Sequence, residues 1–241
     1  MKRTTLLLRL LCLGLFAHAG FVPAAEIAPA AARIIVLARH GHYEADPNAD
    51  ATLGPGLSTL GIAQAQLLGA RLAGLPFHFD AMLVSPLQRA QDTANVIAAD
   101  LQQVPRSKVA ELEECTPPTR RPEAVAGVPE AVQLACAKQL EKLFSEHFVP
   151  AKGGQRHELL VCHGNVIRYL ITKALGVDTK AWLELSVGHT SLTTIRVEPD
   201  GSMRLIAAGD VGHLPPNMLT GAIGDAERKL VVPAAGTPAS Q

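Results

Sequence analysis

The sequence predicts an α/β fold, and three features predict it: short apolar runs that stop at polar residues, helical repeats between those runs, and a composition suited to one core. The 241 residues are 48% hydrophobic and 4% aromatic, which gives a single medium-sized domain enough apolar surface to bury. Strands that alternate with helices along the chain favour parallel pairing, with the helices covering the sheet.

The elements follow in order. Lys2, Arg3 and Arg9 precede an apolar stretch over 10–19, then small residues and Pro23, which reads as a signal peptide over 1–24. Ala17-His18-Ala19 and Val22-Pro23-Ala24 both offer small residues for cleavage. The stretch is short for a bilayer span of ~20 residues, so an exported protein, periplasmic or secreted, is expected. An uncleaved N-terminal anchor lengthened by Leu6 to Leu8 is the alternative. An Ala-rich linker over 25–32 leads to Ile34-Ile35-Val36-Leu37-Ala38, an apolar run that reads as a strand buried on both faces. Ser58 precedes helical spacing through Leu60, Ala63, Leu67, Leu68 and Leu72, and Gly74 ends it.

A second strand over 81–84 runs into Ser85-Pro86-Leu87-Gln88, where Ser caps, Pro opens the first turn and Gln completes a capping box. That helix is expected to reach about residue 99. The stretch 111–127 lacks periodicity and reads as an ordered loop over the sheet, a length usually reserved for function. Helical spacing returns over 130–148, and Gly153-Gly154 breaks it before a third strand over 159–161 and a helix starting near Asn165. The runs 192–197 and 203–208 flank Pro199-Asp200-Gly201-Ser202 and read as a hairpin that adds antiparallel strands. The catalytic domain is therefore placed at 33–225, with a disordered tail at 226–241.

Charge narrows the function. Lys plus Arg and Asp plus Glu each number 22, so the chain lacks the basic field that nucleic-acid binding needs. Cleavage after Ala24 removes three of the 22 cations and no acid, for a net charge of −3. Cys115, Cys136 and Cys162 remain without CxxC spacing, so no thiolate metal site is implied, and pairing of Cys115 with Cys136 is left open.

The chemistry falls on three strand-to-helix junctions: Arg39-His40-Gly41, Ser85 with Arg89, and His163-Gly164-Asn165. Open α/β sheets bind ligands beyond the carboxyl ends of their strands. With the strands side by side, two Arg, two His and nearby helix N-termini make a site for a phosphoryl dianion. An imidazole whose second nitrogen donates to a fixed acceptor can attack phosphorus, and adjacent arginines keep it unprotonated. His40 is assigned as the nucleophile and His163 as a donor to the phosphoryl oxygens. The leaving oxygen needs a proton, and the only concentrated carboxylates in an overhanging loop are Glu111, Glu113 and Glu114, among which periodicity does not choose. His42 hints at a metal pair with His40, yet no ligands stand at zinc spacing, so neither metal nor cofactor is expected.

Four blocks carry a resemblance: Val36-Leu37-Ala38-Arg39-His40-Gly41, Leu57-Ser58-Thr59-Leu60-Gly61, Ser85-Pro86-Leu87-Gln88-Arg89-Ala90 and His163-Gly164. Their order is similar to that of the histidine phosphatase superfamily, the phosphoglycerate-mutase-like group. Cys162-His163-Gly164-Asn165-Val166-Ile167-Arg168-Tyr169 and Gly209-Asp210-Val211-Gly212 more closely resemble its mitochondrial serine/threonine protein phosphatase branch. The resemblance implies a three-layer α/β/α sandwich with a mostly parallel mixed sheet. It implies a phosphate pocket of Arg39, His40, Arg89 and His163, extended by Gly164 and Asn165, with Glu114 as proton donor. The substrate it implies is a phosphoprotein, the alternative being a small phosphomonoester such as an acid phosphatase or mutase takes. A homodimer is left open, and the branch's Trp-containing assembly segment has no match, since Trp182 is the one Trp. Cys115 and Gly188-His189-Thr190 also depart from the branch.

Overall fold

The computed structural model describes residues 28–101 and 103–221. Its elements are β1 (Ala30–Ala31), β2 (Arg33–Arg39), α1 (Thr59–Ala73), β3 (Ala81–Val84), α2 (Gln88–Ile97), β4 (Arg106–Lys108), α3 (Glu130–His147), β5 (Ala151–Lys152), β6 (Arg156–Cys162), α4 (Gly164–Ala174), β7 (Leu192–Val197) and β8 (Met203–Asp210). Short 3-10 helices lie at Ala110–Leu112, Pro122–Val125, Thr179–Glu184 and Pro216–Met218.

The main sheet has the order β4-β3-β6-β2-β7-β8. β4, β3, β6 and β2 run parallel, while β7 pairs antiparallel with β2 and β8 with β7. Successive side chains of a strand point to opposite faces, so β2 contributes to two cores. Ile35 and Leu37 pack with α3 and α4 residues such as Leu140, Leu143, Ile167 and Leu170. Ile34, Val36 and Ala38 pack instead with Leu68 and Leu72 of α1 and Ala90, Ala94 and Ile97 of α2. The three layers expected from the sequence follow from this alternation.

Register places the chemistry. Arg39 pairs with Cys162 across β2 and β6, and Val84 pairs with Val161 across β3 and β6. The ladder continues one residue further, with His40 N–H donating to Cys162 O at 2.9 Å and Ser85 N–H to Val161 O at 3.0 Å. His40, Ser85 and His163 therefore leave three adjacent strands at one edge.

Some local expectations change. Ala30–Ala31, placed in the linker, forms β1 against β5. β4 is exposed Arg-Ser-Lys, and β1 and β5 are two residues each, so none carries an apolar signal. α2 starts at Gln88 without a side-chain cap and ends at Ile97 rather than near 99. Ser85 lies ahead of the cap position, Leu87; its hydroxyl accepts from Leu87 N–H and also meets His163 Nε2. Ser58 does cap α1, accepting from Gly61 N–H at 3.1 Å. Cys115 and Cys136 form a disulfide with Cα atoms 5.6 Å apart, bridging a separation of 21 residues; closing a loop of that order contributes ~3 kcal/mol in the chain-entropy account. The expected signal peptide over 1–24 and tail over 226–241 lie outside the described residues.

Candidate active site

The turn after β2 is shaped by close backbone approach. A Cβ on Gly41 would stand 2.6 Å from Gly61 O, so only glycine lets the first turn of α1 close over the strand end. Gly41 N–H donates to Thr93 Oγ1 of α2 at 3.0 Å, and Thr190 N–H donates to His40 O at 3.2 Å. Three elements thus hold one histidine, which is buried at 1% exposure.

The partners of His40 settle its tautomer. Nδ1 lies 2.8 Å from Gly41 O, and a carbonyl only accepts, so Nδ1 carries the proton. Nε2 then presents a lone pair, to which Arg89 Nε donates at 3.2 Å. Burial first, then His163, Arg39, His189 and Arg89, hold the imidazole pKa well below its ordinary value. It is a neutral base with its free nitrogen facing a cation.

Arg89 sits in the first turn of α2, its Cζ 4.9 Å from the centroid of Tyr43, which meets His40 edge-on at 5.5 Å. Arg39 donates Nη1 to Val187 O at 2.7 Å, while its buried Nε has no partner among the described residues. Burial lowers its pKa to about 10 against the opposing pull of Glu114, so it remains a cation at neutral pH. A Cβ on Gly164 would lie 3.4 Å from Arg39 Nε; glycine there leaves the guanidinium its place.

His163 precedes α4, with its ring 5.0 Å from that of His40. Its Nε2 lies 2.7 Å from Ser85 Oγ, which accepts from Leu87 N–H at 3.3 Å. With Ser85 donating to Nε2, the Nδ1 of His163, unpartnered among the described residues, would carry the proton.

Glu114 lies in irregular backbone after Ala110–Leu112. Its Oε1 is buried without a partner among the described residues. Burial raises its pKa from 4.5 to about 7, opposed by Arg39, Arg89, the Asn165 backbone and Arg168. The charge of the pocket arginines thus reaches this carboxyl. Glu111 is engaged elsewhere: Lys142 Nζ stands 2.5 Å from its Oε1 and holds its carboxyl below the ordinary range. Asn165, expected to touch substrate, donates Nδ2 to Cys115 O at 3.0 Å.

Sequence reasoning missed three members of the site. His189 is buried 5.3 Å from the His40 ring, with Nδ1 2.9 Å from Thr220 Oγ1 and Nε2 unpartnered among the described residues. Burial, then Arg39, His42 and Arg89, take its pKa down to about 2. Tyr43 meets the His40 ring and the charge of Arg168 reaches Arg39 and Glu114, yet neither position follows from strand or helix periodicity. His42 is spent on structure, its Nδ1 lying 2.8 Å from Ser58 Oγ. Among the described residues no group of three or more His, Cys, Asp or Glu is arranged to hold a metal ion.

Residues 35–120 and 128–208 match the histidine phosphatase superfamily (branch 1). The chain belongs to that superfamily. The mitochondrial serine/threonine-protein phosphatase Pgam5 of Caenorhabditis elegans is 37% identical over 79% of this chain and 67% of its own length. Its counterpart in Mus musculus is 35% identical over 79% and 67% respectively. The crystal structure of the alpha-ribazole phosphatase from Shigella flexneri shares the fold, with a TM-score of 0.58 at 22% identity, covering 74% of this chain and 96% of that one. This histidine phosphatase is a phosphatase, a phosphoric monoester hydrolase that acts on phosphorylated substrates.

The relatives also correct the expectation of export. They are named as mitochondrial proteins, which points away from a periplasmic or secreted destination. The segment that suggested export has Lys2, Arg3 and Arg9 and no acidic residue before Glu26, and the same composition marks transit peptides, which are basic and poor in acids. Among the described residues no helix is long and apolar enough to cross a membrane.

Proposed function

We propose that this histidine phosphatase hydrolyses phosphoserine or phosphothreonine in proteins of the mitochondrion, through a phosphohistidine formed on His40 Nε2. The observation that carries the mechanism is the pair of hydrogen bonds on His40, which leaves a neutral imidazole with its unprotonated nitrogen beside Arg89. The substrate class rests on the similarity to Pgam5 over about four-fifths of the chain.

In the first step His40 Nε2 forms a bond to phosphorus while the bond from phosphorus to the seryl or threonyl oxygen breaks. Arg39, Arg89 and His163 Nδ1–H hold the three non-bridging oxygens, where charge concentrates as the phosphoryl group transfers. Glu114, protonated by virtue of its burial, gives its proton to the departing oxygen. The resulting carboxylate then takes a proton from water, whose oxygen attacks phosphorus; the bond to Nε2 breaks, and phosphate leaves with both His40 and Glu114 in their starting states. Arginine suits the pocket because its planar fork and permanent charge match phosphoryl oxygens, with neither metal nor cofactor needed.

Rapid quenching with a radiolabelled phosphopeptide tests the mechanism. Wild type should carry an acid-labile, alkali-stable label, and His40→Ala should lose both the label and turnover. A label that persists in His40→Ala would move the nucleophile to another residue.

A further inference from the structure

The residue after the proposed acid is covalently tied to a helix. Cys115 is bonded to Cys136, which is 3% exposed within α3. One turn along α3, Gln139 Nε2 donates to the carbonyls of Glu111 at 3.1 Å and Glu113 at 2.9 Å. From the opposite side Asn165 of α4 donates to Cys115 O at 3.0 Å. The backbone on both sides of Glu114 is therefore fastened to two helices, although Glu114 belongs to no helix or strand.

Such fastening has a specific use. A carboxyl with a buried, unpartnered oxygen is costly to hold, and a free loop would relieve the cost by turning the group into water. Hydrogen bonds of side chain to backbone oppose that movement individually and reversibly; the disulfide opposes it covalently, at the adjacent residue. The hydrogen bonds at the side chains of His40, Arg39 and His163 come from Gly41, Arg89, Val187 and Ser85, and none of them is made by Cys115.

We propose that the Cys115–Cys136 disulfide is a positioning device for Glu114, so that the oxidised protein protonates poor leaving groups and the reduced protein keeps the phosphate pocket without doing so. Reduction takes two electrons and two protons from a dithiol, breaking the sulfur–sulfur bond to give two thiols. The other cysteine, Cys162, is a buried free thiol and does not share in the exchange. This inference rests on the reading of Glu114 as the acid.

The test uses the full chain, oxidised and after treatment with dithiothreitol, on two substrates: a phosphoserine peptide and p-nitrophenyl phosphate, whose phenolate needs little protonation. Reduction should lower kcat on the peptide by roughly ten- to a hundred-fold, the scale of a misplaced acid. It should leave kcat on the aryl phosphate within about two-fold and both KM values nearly unchanged. Reoxidation should restore the peptide rate. Cys115→Ser/Cys136→Ser should reproduce the reduced pattern and no longer respond to dithiothreitol; should that variant fail to fold, reduction of the wild type is sufficient. Equal loss on both substrates, an unchanged peptide rate, or mass spectrometry finding the two cysteines unlinked in the oxidised protein would overturn the proposal. If Glu114→Gln in the oxidised protein has wild-type rates on both substrates, it is the assignment of the acid that fails, whatever the disulfide does.

Discussion

Replacing Glu114 with Gln should stabilise the protein at alkaline pH while removing most of its activity on a phosphoserine peptide. The native carboxyl has its pKa raised from 4.5 to about 7, with burial the leading cause. Between those values the unfolded chain releases a proton that the native state retains. The stability this group supports is therefore fully present below about 4.5 and is lost as pH climbs to about 7. At about 1.4 kcal/mol per pKa unit, the ionised carboxylate above that range costs on the order of 3 kcal/mol. Glu114→Gln keeps the shape and removes the charge, so its stability advantage should be near nil at pH 4.5 and grow to about 3 kcal/mol at pH 8. Urea unfolding of both proteins across that range measures the gap. At the same time kcat on the peptide should fall roughly 100- to 10,000-fold, the usual contribution of a general acid, with a smaller loss on p-nitrophenyl phosphate. A gap that stays flat with pH, or that favours the wild type at pH 8, would refute the placement of this carboxyl.

Two further substitutions test the geometry. Ser85→Ala removes the hydroxyl 2.7 Å from His163 Nε2; if that hydroxyl donates, the freed tautomer should lower kcat about ten-fold, with nitrogen-15 NMR of His163 showing a shift from Nδ1–H toward Nε2–H. An unchanged tautomer would assign Ser85 a purely structural part. Gly41→Ala drives a methyl group to 2.6 Å from Gly61 O, and backbone on both sides leaves little room to yield. It should cost about 1–3 kcal/mol in thermal or urea unfolding; a neutral result would mean that the turn after β2 adjusts freely.

The strands that carry the site were readable because their cores are apolar on both faces: 34–38, 81–84 and 159–161 each stand within an observed strand. Their ends gave Arg39, His40 and His163 directly, since a polar residue that interrupts such a run stands at the sheet's edge. Arg89 followed from its place in the first turn of the next helix. Glu114 could not be chosen by periodicity among three neighbouring acids, because irregular backbone has no period; what distinguishes it is a buried, unpartnered carboxyl oxygen. His189 was missed for the same reason, lying in the turn before β7 and reaching His40 through tertiary packing alone. The capping motif at Ser85 misled because the helix starts two residues later than the motif implies, with Leu87 at the cap position, and the Ser85 hydroxyl meets both Leu87 N–H and His163. The basic, acid-poor N-terminal stretch misled because export signals and mitochondrial transit peptides draw on overlapping compositions.

The same pocket carries an energetic deficit that phosphate should cancel. Arg39 Nε, His163 Nδ1 and His189 Nε2 are buried without hydrogen-bond partners among the described residues. Folded proteins rarely tolerate such groups, each costing ~1–3 kcal/mol when unpaired. Three at the ends of β2, β6 and the turn before β7 are more than packing accident explains, and the rings of His163 and His189 stand 5.0 and 5.3 Å from that of His40. A dianion accepts hydrogen bonds and brings negative charge to Arg39 and Arg89, so inorganic phosphate should bind this pocket in the native state and not in the unfolded chain. At one hundred times its dissociation constant it should stabilise the protein by about 2.7 kcal/mol, a rise of roughly 5–11 °C in Tm for a domain of this size. Sulfate should act similarly, since it offers the same four oxygens, and chloride at equal ionic strength should not. Arg39→Ala and Arg89→Ala should each abolish most of the rise. If phosphate and chloride raise Tm equally, or if both arginine variants keep the full response, the unpartnered atoms are not a phosphate site and the stabilisation is a bulk salt effect.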